Sequence, residues 1–192
     1  MAKQIWKPNT LISPVPPAMV SCGTVEEPNI ITIAWTGIIN SNPPMTYISV
    51  RPERYSHPII RDSGEFVVNL TTKALVRAAD ICGVKSGRDI NKFESLSLTP
   101  LPSSTVSAPL IGEAPISFEC KVTEVKPLGS HDMFLAKITA VQVDDSLIDQ
   151  NGKLRLDRAG LVAYSHGEYF ALGEKLGTFG YSVRKKPAKK RR

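Results

Sequence analysis

The chain has 192 residues, of which 42% are hydrophobic and 22% are charged, and its formal net charge is +6 at pH 7. This length and composition are typical of one globular domain, and no apolar run approaches the ~20 residues that span a bilayer. Pro14, Pro16 and Pro17 interrupt the N-terminal apolar segment and exclude a signal-peptide helix there. We therefore expect no membrane association and a cytoplasmic location.

The positive charge is concentrated at the C-terminus, where the segment 184–192, RKKPAKKRR, holds seven basic residues and no acidic ones. Subtracting these seven from the 24 basic residues leaves 17, against 18 acidic residues, so the remaining chain is close to neutral. We expect a single domain over 1–183 and a disordered, solubilising tail over 184–192. Nucleic-acid binding beyond weak contacts of this tail is not expected.

The three cysteines, Cys22, Cys82 and Cys120, are far apart and form no C-x-x-C pair. This spacing indicates neither a disulfide framework nor a metal site, so we expect no bound metal and mostly structural, reduced thiols. Cys82 alone lies in a glycine-rich polar segment where a thiol could meet a ligand. A buried, inert Cys82 is the alternative.

Short apolar runs rich in Val, Ile, Thr and aromatic residues alternate with Pro, Gly, Asn and Ser, which predicts many short strands. In chain order the expected strands are 18–24, 30–36, 45–51, 65–70, 115–126, 132–144 and 169–173. The segment KPLGSH, 126–131, predicts a hairpin between the two longest strands. The segment 99–115, with four prolines, predicts a long extended surface loop.

Helical signals are few. One short helix is expected from Ser56, whose hydroxyl would cap the first turn, to Gly64. A second is expected from a cap at Thr71 or Thr72 to Gly83, and a third in DINKFESL. Because these helices do not alternate with strands, we expect a mainly β fold, a barrel or a sandwich, with a few short peripheral helices.

The first candidate site follows the expected strand 45–51. Arg51, Arg54, Tyr55 and Ser56 lie where a strand ends and a helix begins. Guanidinium groups, hydroxyls and helix-terminal N–H groups can converge there on one anion, and such a set suits a phosphate. The alternative is a pair of solvated surface arginines.

A second polar segment, CGVKSGRDINKF, covers 82–93 and contributes Lys85, Ser86, Arg88 and Lys92. Its glycines allow close approach of the backbone to a ligand. The alternative interpretation is a turn that links two helices.

Two further features involve flat rings. Thr36 and Gly37, at the end of IAWTG, would offer a hydroxyl and a bare backbone to the edge of a heterocycle, whereas Trp35 more commonly packs in a core. His131 lies at the tip of the expected hairpin, where a histidine is either solvated or functional.

The common catalytic signatures G-x-S-x-G, H-E-x-x-H, the Walker loop and G-x-G-x-x-G are missing from the sequence. Nucleophilic hydrolysis, zinc chemistry and Rossmann-type dinucleotide binding therefore lack support. If the protein is an enzyme, we expect a cofactor to carry the reaction.

Four segments together resemble the flavin reductase-like family, which includes flavoredoxin-type proteins. They are TIAWTGIINSNPPMTYISVRPERYSHPIIRDSGEFVVNL, DICGVKSGRDINKF, APISFECKV and GSHDMFLAKI, in the order and at the approximate spacing of that family. The resemblance extends from about Pro14 to Gly173. It implies a Greek-key split β-barrel that binds FMN and forms a homodimer.

The resemblance also implies roles for residues in these segments. Trp35, Thr36 and Gly37 would border the isoalloxazine ring, and Val50 and Arg51 would flank the ribityl chain. The phosphate would be held by Arg54, Tyr55, Ser56, Ser86 and Lys92. His131 matches the histidine of the family's Gly-Asp-His segment, which lies near the flavin ring, although here Ser130 takes the middle position and an aspartate follows.

This resemblance implies an NAD(P)H-dependent flavin reductase-type oxidoreductase, in which NADH or NADPH gives a hydride to FMN and the electrons pass to an acceptor. The alternative is a flavoredoxin-like electron carrier with tightly bound FMN, which takes its electrons from a protein donor. A third hypothesis is a non-enzymatic binding module that the basic tail directs to nucleic acid or to an acidic surface.

Overall fold

The computed structural model of the protein describes residues 1–184, so the expected basic tail lies, apart from Arg184, outside the described residues. The structure is mainly β. Its strands are β1 (Ala18–Gly23), β2 (Pro28–Ile33), β3 (Thr36–Ser41), β4 (Pro44–Val50), β5 (Glu65–Leu70), β6 (Pro100–Leu101), β7 (Leu110–Ile111), β8 (Ile116–Pro127), β9 (Asp132–Val143), β10 (Val162–Ser165) and β11 (Glu168–Ala171). Its helices are α1 (Ser56–Ser63), α2 (Val76–Val84) and α3 (Lys92–Ser95).

Seven strands form one antiparallel sheet in the order β2-β1-β5-β8-β9-β4-β3. The sheet curls so that strands near its two ends come together, because Ile33 on β2 and Val50 on β4 lie in the same buried cluster. Ile31, Ile48, Phe66 and Phe134 from four of these strands belong to one buried core. The curled sheet thus encloses its own apolar interior.

The helix α1 contributes Ile60 to this core, whereas α2 and α3 lie outside the sheet. A second apolar cluster joins the outer side of β1 and β2, through Met19 and Ile30, to Ala79 and Cys82 of α2 and to Phe93 of α3. Two short hairpins, β6–β7 and β10–β11, complete the described β structure. None of the helices within residues 1–184 combines the length and apolar character that a membrane crossing requires.

Most expected strands are confirmed. The strand at 65–70 matches β5, and the two longest expected strands match β8 and β9 within one residue at each end. The hairpin at KPLGSH is confirmed, since the amide of Leu128 donates to the carbonyl oxygen of His131 at 2.9 Å. The sequence analysis missed β10, and it took 99–115 for a loop although β6 and β7 lie in that segment.

The expectation for 30–36 is partly wrong. The strand β2 ends at Ile33, and the chain then turns into β3, most of which lies between the expected strands 30–36 and 45–51. The strand β3 is mostly exposed, so it lacks the alternation of apolar and polar residues that identifies a half-buried strand. Its pairing with β4, which includes a register shift between Ile38 and Asn40, is a tertiary feature.

The expected helix caps are wrong. Ser56 is the first residue of α1 and caps nothing; its hydroxyl oxygen instead accepts a hydrogen bond from the Asn29 side chain at 2.7 Å. The helix α2 begins at Val76, beyond Thr71 and Thr72, and continues past the expected stop at Gly83. Gly64 does end α1, with a positive φ of 68° that favours glycine.

Glu119 on β8 anchors the segment 99–115 to the sheet. Its carboxylate is fully buried and accepts five hydrogen bonds, from the backbone and hydroxyl groups of Ser104 and Thr105 and from the amide of Gln142. Burial alone would raise the pKa of Glu119, but these donors outweigh it and lower the pKa to about 2. The Glu119 carboxylate is therefore charged inside the fold, and both of its oxygens accept hydrogen bonds.

Candidate functional site

Two adjoining clefts lie at the end of the sheet where β4 meets α1. We call the larger one, about 460 Å³, the cationic cleft because five of its lining residues are basic: Arg51, Arg54, Lys85, Arg88 and Lys92. We call the smaller one, about 170 Å³, the aromatic cleft because Trp35 and His131 line it. Ile31, Arg51 and Arg54 line both clefts, so the two form one continuous groove.

The turn between β4 and α1 brings Arg51 and Arg54 to this groove. The amide of Arg54 donates to the carbonyl oxygen of Arg51 at 3.1 Å, which closes the turn. Arg51 also pairs with Glu53 at 3.4 Å, whereas Arg54 has no carboxylate partner among residues 1–184. The guanidinium group of Arg54 is therefore the more available of the two for an anionic ligand.

Lys92 brings a positive charge to the wall of the cationic cleft. Only 3% of the residue is exposed, and its ammonium group donates to the carbonyl oxygens of Ile30 at 2.7 Å and Cys82 at 2.8 Å. Burial, together with the nearby charge of Arg54, lowers the pKa of Lys92. An ammonium group has three protons to donate, so one remains for a ligand in the cleft.

The segment around Gly87 closes the other side of the cationic cleft. The guanidinium carbon of Arg88 lies 5.5 Å from the centre of the Tyr55 ring, within the range of a cation–π contact. A Cβ atom at Gly87 would overlap the side-chain oxygen of Asn29 and lie 2.6 Å from Cδ1 of Tyr55. Only glycine lets this segment approach Tyr55 so closely.

The aromatic cleft is built around two rings. Trp35 is 42% exposed, and its ring centre lies 4.5 Å from that of His131 at an interplanar angle of 40°. The Nδ1 atom of His131 lies 2.9 Å from the hydroxyl oxygen of Ser130. Burial and the charge of Arg51 lower the pKa of His131, so the imidazole is neutral at pH 7.

The segment of the chain that forms this groove matches a known protein family. The flavin reductase like domain family matches residues 12–173. The chain belongs to the flavin reductase-like family. The split-barrel fold that the sequence resemblance implied is thereby confirmed.

Several known proteins are similar to the chain. Flavoredoxin of Desulfovibrio vulgaris (Miyazaki F) is 33% identical, with a TM-score of 0.87 over 95% of this chain and 100% of that one. A putative flavin reductase with split barrel domain from Shewanella frigidimarina is 23% identical, with a TM-score of 0.79 over 90% of this chain and 89% of that one. An FMN reductase (NADH) of Stutzerimonas stutzeri is 23% identical over 56% of this chain and 60% of that protein.

The structure brings together nine of the eleven site residues that the sequence resemblance implied. The cationic cleft contains Arg51, Arg54, Tyr55, Ser56, Ser86 and Lys92, and the aromatic cleft contains Trp35, Val50, Arg51, Arg54 and His131. Thr36 and Gly37 line neither. They lie on a separate apolar cleft with Ile38 and Phe118, and the Thr36 hydroxyl donates to the carbonyl oxygen of Tyr47 at 2.6 Å.

The sequence contains no indication of a partly buried pair, His57 and Asp132, which links two elements next to the clefts. The Nε2 atom of His57 lies 2.8 Å from a carboxylate oxygen of Asp132, and the His57 ring packs edge-on against Phe134. His57 follows Ser56 on α1. Asp132 is the first residue of β9 and directly follows His131. The pair thus ties the helix of the cationic cleft to the strand of the aromatic cleft, and a separation of 75 residues left no signal in the sequence.

The three cysteines are buried free thiols, and Cys82 lines the cationic cleft. Burial raises the pKa of the Cys82 thiol to about 11, so it is a neutral group and a poor nucleophile at pH 7. Within residues 1–184, no group of three or more His, Cys, Asp or Glu side chains is arranged to hold a metal ion.

Proposed function

We propose that the groove binds FMN and that the protein is a flavoprotein oxidoreductase. The observation that carries this proposal is the continuity of the cationic cleft with the aromatic cleft through Arg51 and Arg54. FMN has a phosphate at one end and a flat ring at the other, and the groove offers charged donors and exposed rings in the same arrangement. Membership of the flavin reductase-like family supports it.

The donors of the cationic cleft fit a phosphate. Arg54 and Lys92 supply positive charge without a carboxylate partner among residues 1–184, and Ser86 and Tyr55 add hydroxyl groups. Charged hydrogen bonds to phosphate oxygens are about twice as strong as neutral ones. The Ser56 hydroxyl, oriented by Asn29, would complete this set.

The aromatic cleft would hold the isoalloxazine ring. The exposed ring of Trp35 offers a face for stacking, and Val50 and Arg51, which also line this cleft, would flank the ribityl chain. The neutral imidazole of His131 can donate or accept one hydrogen bond at the ring edge. Bound FMN would accept electrons and pass them on, which this chain's side chains cannot do by themselves.

We infer that NADH or NADPH is the electron donor, which makes the protein a flavin reductase-type enzyme. The FMN reductase (NADH) of Stutzerimonas stutzeri, a relative at 23% identity, supports this inference. The alternative is an electron carrier that takes electrons from a protein. The 33% identity to a flavoredoxin over nearly the whole chain favours that alternative.

Two spectroscopic experiments test these proposals. Titration of the purified protein with FMN should shift the visible flavin bands to a saturable end point; no shift at micromolar FMN would contradict the cofactor. Anaerobic addition of NADH or NADPH to the FMN-loaded protein should then bleach those bands within seconds. If neither bleaches them, while a reduced protein donor does, the protein is a carrier.

We also infer a homodimer, held in part by the exposed face of β3. Ile38 and Ile39 on this edge strand are exposed, and Ile38 also lines the apolar cleft. Exposed apolar edge strands commonly mark protein contacts. Ile38→Lys should convert a dimer into a monomer in sedimentation equilibrium, and an unchanged dimer would place the contact elsewhere.

The unpaired thiols support our expectation of a cytoplasmic location.

A further inference from the structure

The segment that follows β11 carries apolar side chains that the rest of residues 1–184 leaves uncovered. We call residues 172–183 the C-terminal arm. Its large apolar side chains are all exposed: Leu172, Leu176, Phe179, Tyr181 and Val183. Single exposed apolar residues are common on protein surfaces, but a concentration of them in one short segment marks a contact surface.

The C-terminal arm ends in a preformed turn. The amide of Tyr181 donates to the carbonyl oxygen of Thr178 at 2.9 Å, and Gly180 has a positive φ of 77°. The Tyr181 ring packs so closely on Gly177 that a Cβ atom there would lie 2.5 Å from Cδ1 of the ring. Phe179 lies inside this turn sequence and is fully exposed. A side chain that a rigid turn presents loses little conformational freedom on binding.

The apolar cleft, about 180 Å³, opens onto the core of the sheet. Ala18 and Val68 belong to that core, Phe118 and Ile138 pack against it, and all four line the cleft together with Ile38. None of the described residues that line this cleft is charged. An apolar side chain that entered the cleft would therefore remove apolar surface from water without burying a charge.

We propose that the C-terminal arm of one copy of the chain inserts Phe179 into the apolar cleft of a second copy. Each copy carries both an arm and a cleft, so two copies can exchange their arms and close a two-fold dimer. The edge strand β3, which carries Ile38, would lie in the same interface. This contact would hold the homodimer that the exposed face of β3 suggests, and it does not depend on flavin binding.

The surface on offer is large enough for a stable dimer. An aromatic side chain buries about 150 to 250 Å². Phe179 and Tyr181 of two copies would contribute roughly 600 to 1,000 Å², to which the aliphatic residues of the arms and the walls of both clefts add. Specific interfaces bury about 1,200 to 2,000 Å² in total, so two exchanged arms reach that range.

The N-terminal segment 1–14 is the other candidate for the cleft, since Ile5, Trp6 and Ile12 are also exposed. Its backbone, however, forms no hydrogen bond with another backbone group of residues 1–184. It has no preformed turn, and ordering it on the cleft would cost more conformational entropy. The C-terminal arm is therefore the favoured occupant.

Sedimentation equilibrium of the full chain measures the contact. Phe179→Ser should raise the dissociation constant of the dimer by about a hundred-fold or more, because each dimer loses two buried aromatic anchors. The matched control is Leu156→Ser, which removes an exposed apolar side chain outside the arm and the cleft and should change the constant by less than about two-fold. Circular dichroism should show that both variants retain the fold.

Cysteine cross-linking identifies the two ends of the contact. One chain is isotope-labelled and carries Ile38→Cys, and the other is unlabelled and carries Thr178→Cys, which leaves Phe179 in place. The three natural cysteines are buried and should stay unreactive. After mild oxidation of the mixture, mass spectrometry should find the labelled peptide of position 38 joined to the unlabelled peptide of position 178. Leu156→Cys in place of Ile38→Cys should give no such link.

Each outcome supports or overturns the exchange of arms. Equal effects of Phe179→Ser and Leu156→Ser, or a wild-type chain that stays monomeric at millimolar concentration, overturn it. A dimer that Phe179→Ser weakens, but that shows no link to position 38, places the arm outside the cleft and overturns it as well.

A chain with both cysteine substitutions, diluted into an excess of wild type, tests whether the arm folds back onto its own cleft. A link between positions 38 and 178 within that one chain overturns the exchange. A link that forms only between differently labelled copies supports it. Uptake of FMN, or its failure, alters none of these outcomes, so the flavin proposal and the arm exchange are tested separately.

Discussion

Glu119 and Lys92 are both buried charged residues, with exposed fractions of 0% and 3%, but their hydrogen bonding differs. Five donors from Ser104, Thr105 and Gln142 surround the Glu119 carboxylate, and the result is a pKa lowered to about 2. Lys92 has two carbonyl partners, a pKa that burial lowers, and a position on the wall of a cleft.

We interpret Glu119 as a structural charge and propose Lys92 as a binding charge. A buried charge costs several kcal/mol in desolvation unless its partners compensate for it. The fold supplies those partners for Glu119, so the compensation is internal and the charge stabilises the segment 99–115. For Lys92 the compensation is incomplete, and an anionic ligand would complete it. Four predictions test this comparison, from the largest expected effect to the smallest.

Glu119→Ala should lower the free energy of unfolding by about 3 to 5 kcal/mol, because it leaves buried donors without an acceptor. Urea denaturation followed by circular dichroism measures this loss. The matched control is Glu113→Ala, which removes an exposed carboxylate that accepts hydrogen bonds from Thr99 and should cost less than about 1 kcal/mol. Equal losses in the two variants would contradict the structural role of Glu119.

Acid should remove the contribution of Glu119 in a defined pH range. Its pKa is about 2 in the folded protein and about 4.3 in an unfolded chain, so the contribution is present above about pH 4 and is lost as the pH falls through about 2. The free-energy difference between wild type and Glu119→Gln should shrink by about 3 kcal/mol between pH 6 and pH 2. A difference that stays constant over this range would show that the carboxylate is not specially stabilised.

Lys92→Met should weaken FMN binding by about 2 to 4 kcal/mol while changing the free energy of unfolding by less than about 1 kcal/mol. The loss of affinity follows from the missing charge at the phosphate, and the small change in stability follows because an apolar side chain avoids the desolvation cost. Isothermal titration with FMN and with riboflavin, which has no phosphate, measures the effect. Equal losses for the two ligands would remove Lys92 from the phosphate site.

Arg54→Ala should weaken FMN binding by about 1.5 to 3 kcal/mol, the range for a charged hydrogen bond. Arg51→Ala should have a smaller effect, since Glu53 already pairs with Arg51 at 3.4 Å. The same titrations compare the two variants at one salt concentration. A larger loss for Arg51→Ala would show that the unpaired arginine is not the main phosphate contact.

Local patterns were sufficient to predict most of the β structure. Alternation along Ile116, Phe118 and Cys120 identified β8, and the polar residues at 126–131 identified the hairpin to β9. The same reasoning failed at β3 and at the helix caps. The strand β3 is exposed and depends on pairing with β4, and Ser56 bonds with Asn29 on a distant strand, so neither feature has a local signal.

The residues of the candidate site also differ in whether a local sequence pattern could predict their position. The sequence predicted an anion site at the turn from Arg51 to Ser56 because four residues of this short turn carry donor groups. The same four residues line the cationic cleft. Thr36 and Gly37 were expected beside the flavin ring because their segment resembles that of the family. The structure places them with Ile38 on the apolar cleft, after the chain has turned from β2 into β3.

The sequence by itself determined the number and type of most elements, the segments that carry positive charge, and the family. These properties follow from local periodicity, turn residues and short motifs. Only the tertiary structure decided which charges are satisfied internally, that His57 of α1 pairs with Asp132 of β9, and that two tyrosines come to lie beside Asp80. Such contacts join residues that are far apart in the chain. The burial of these residues in the folded protein, and not a local sequence pattern, determines their chemistry.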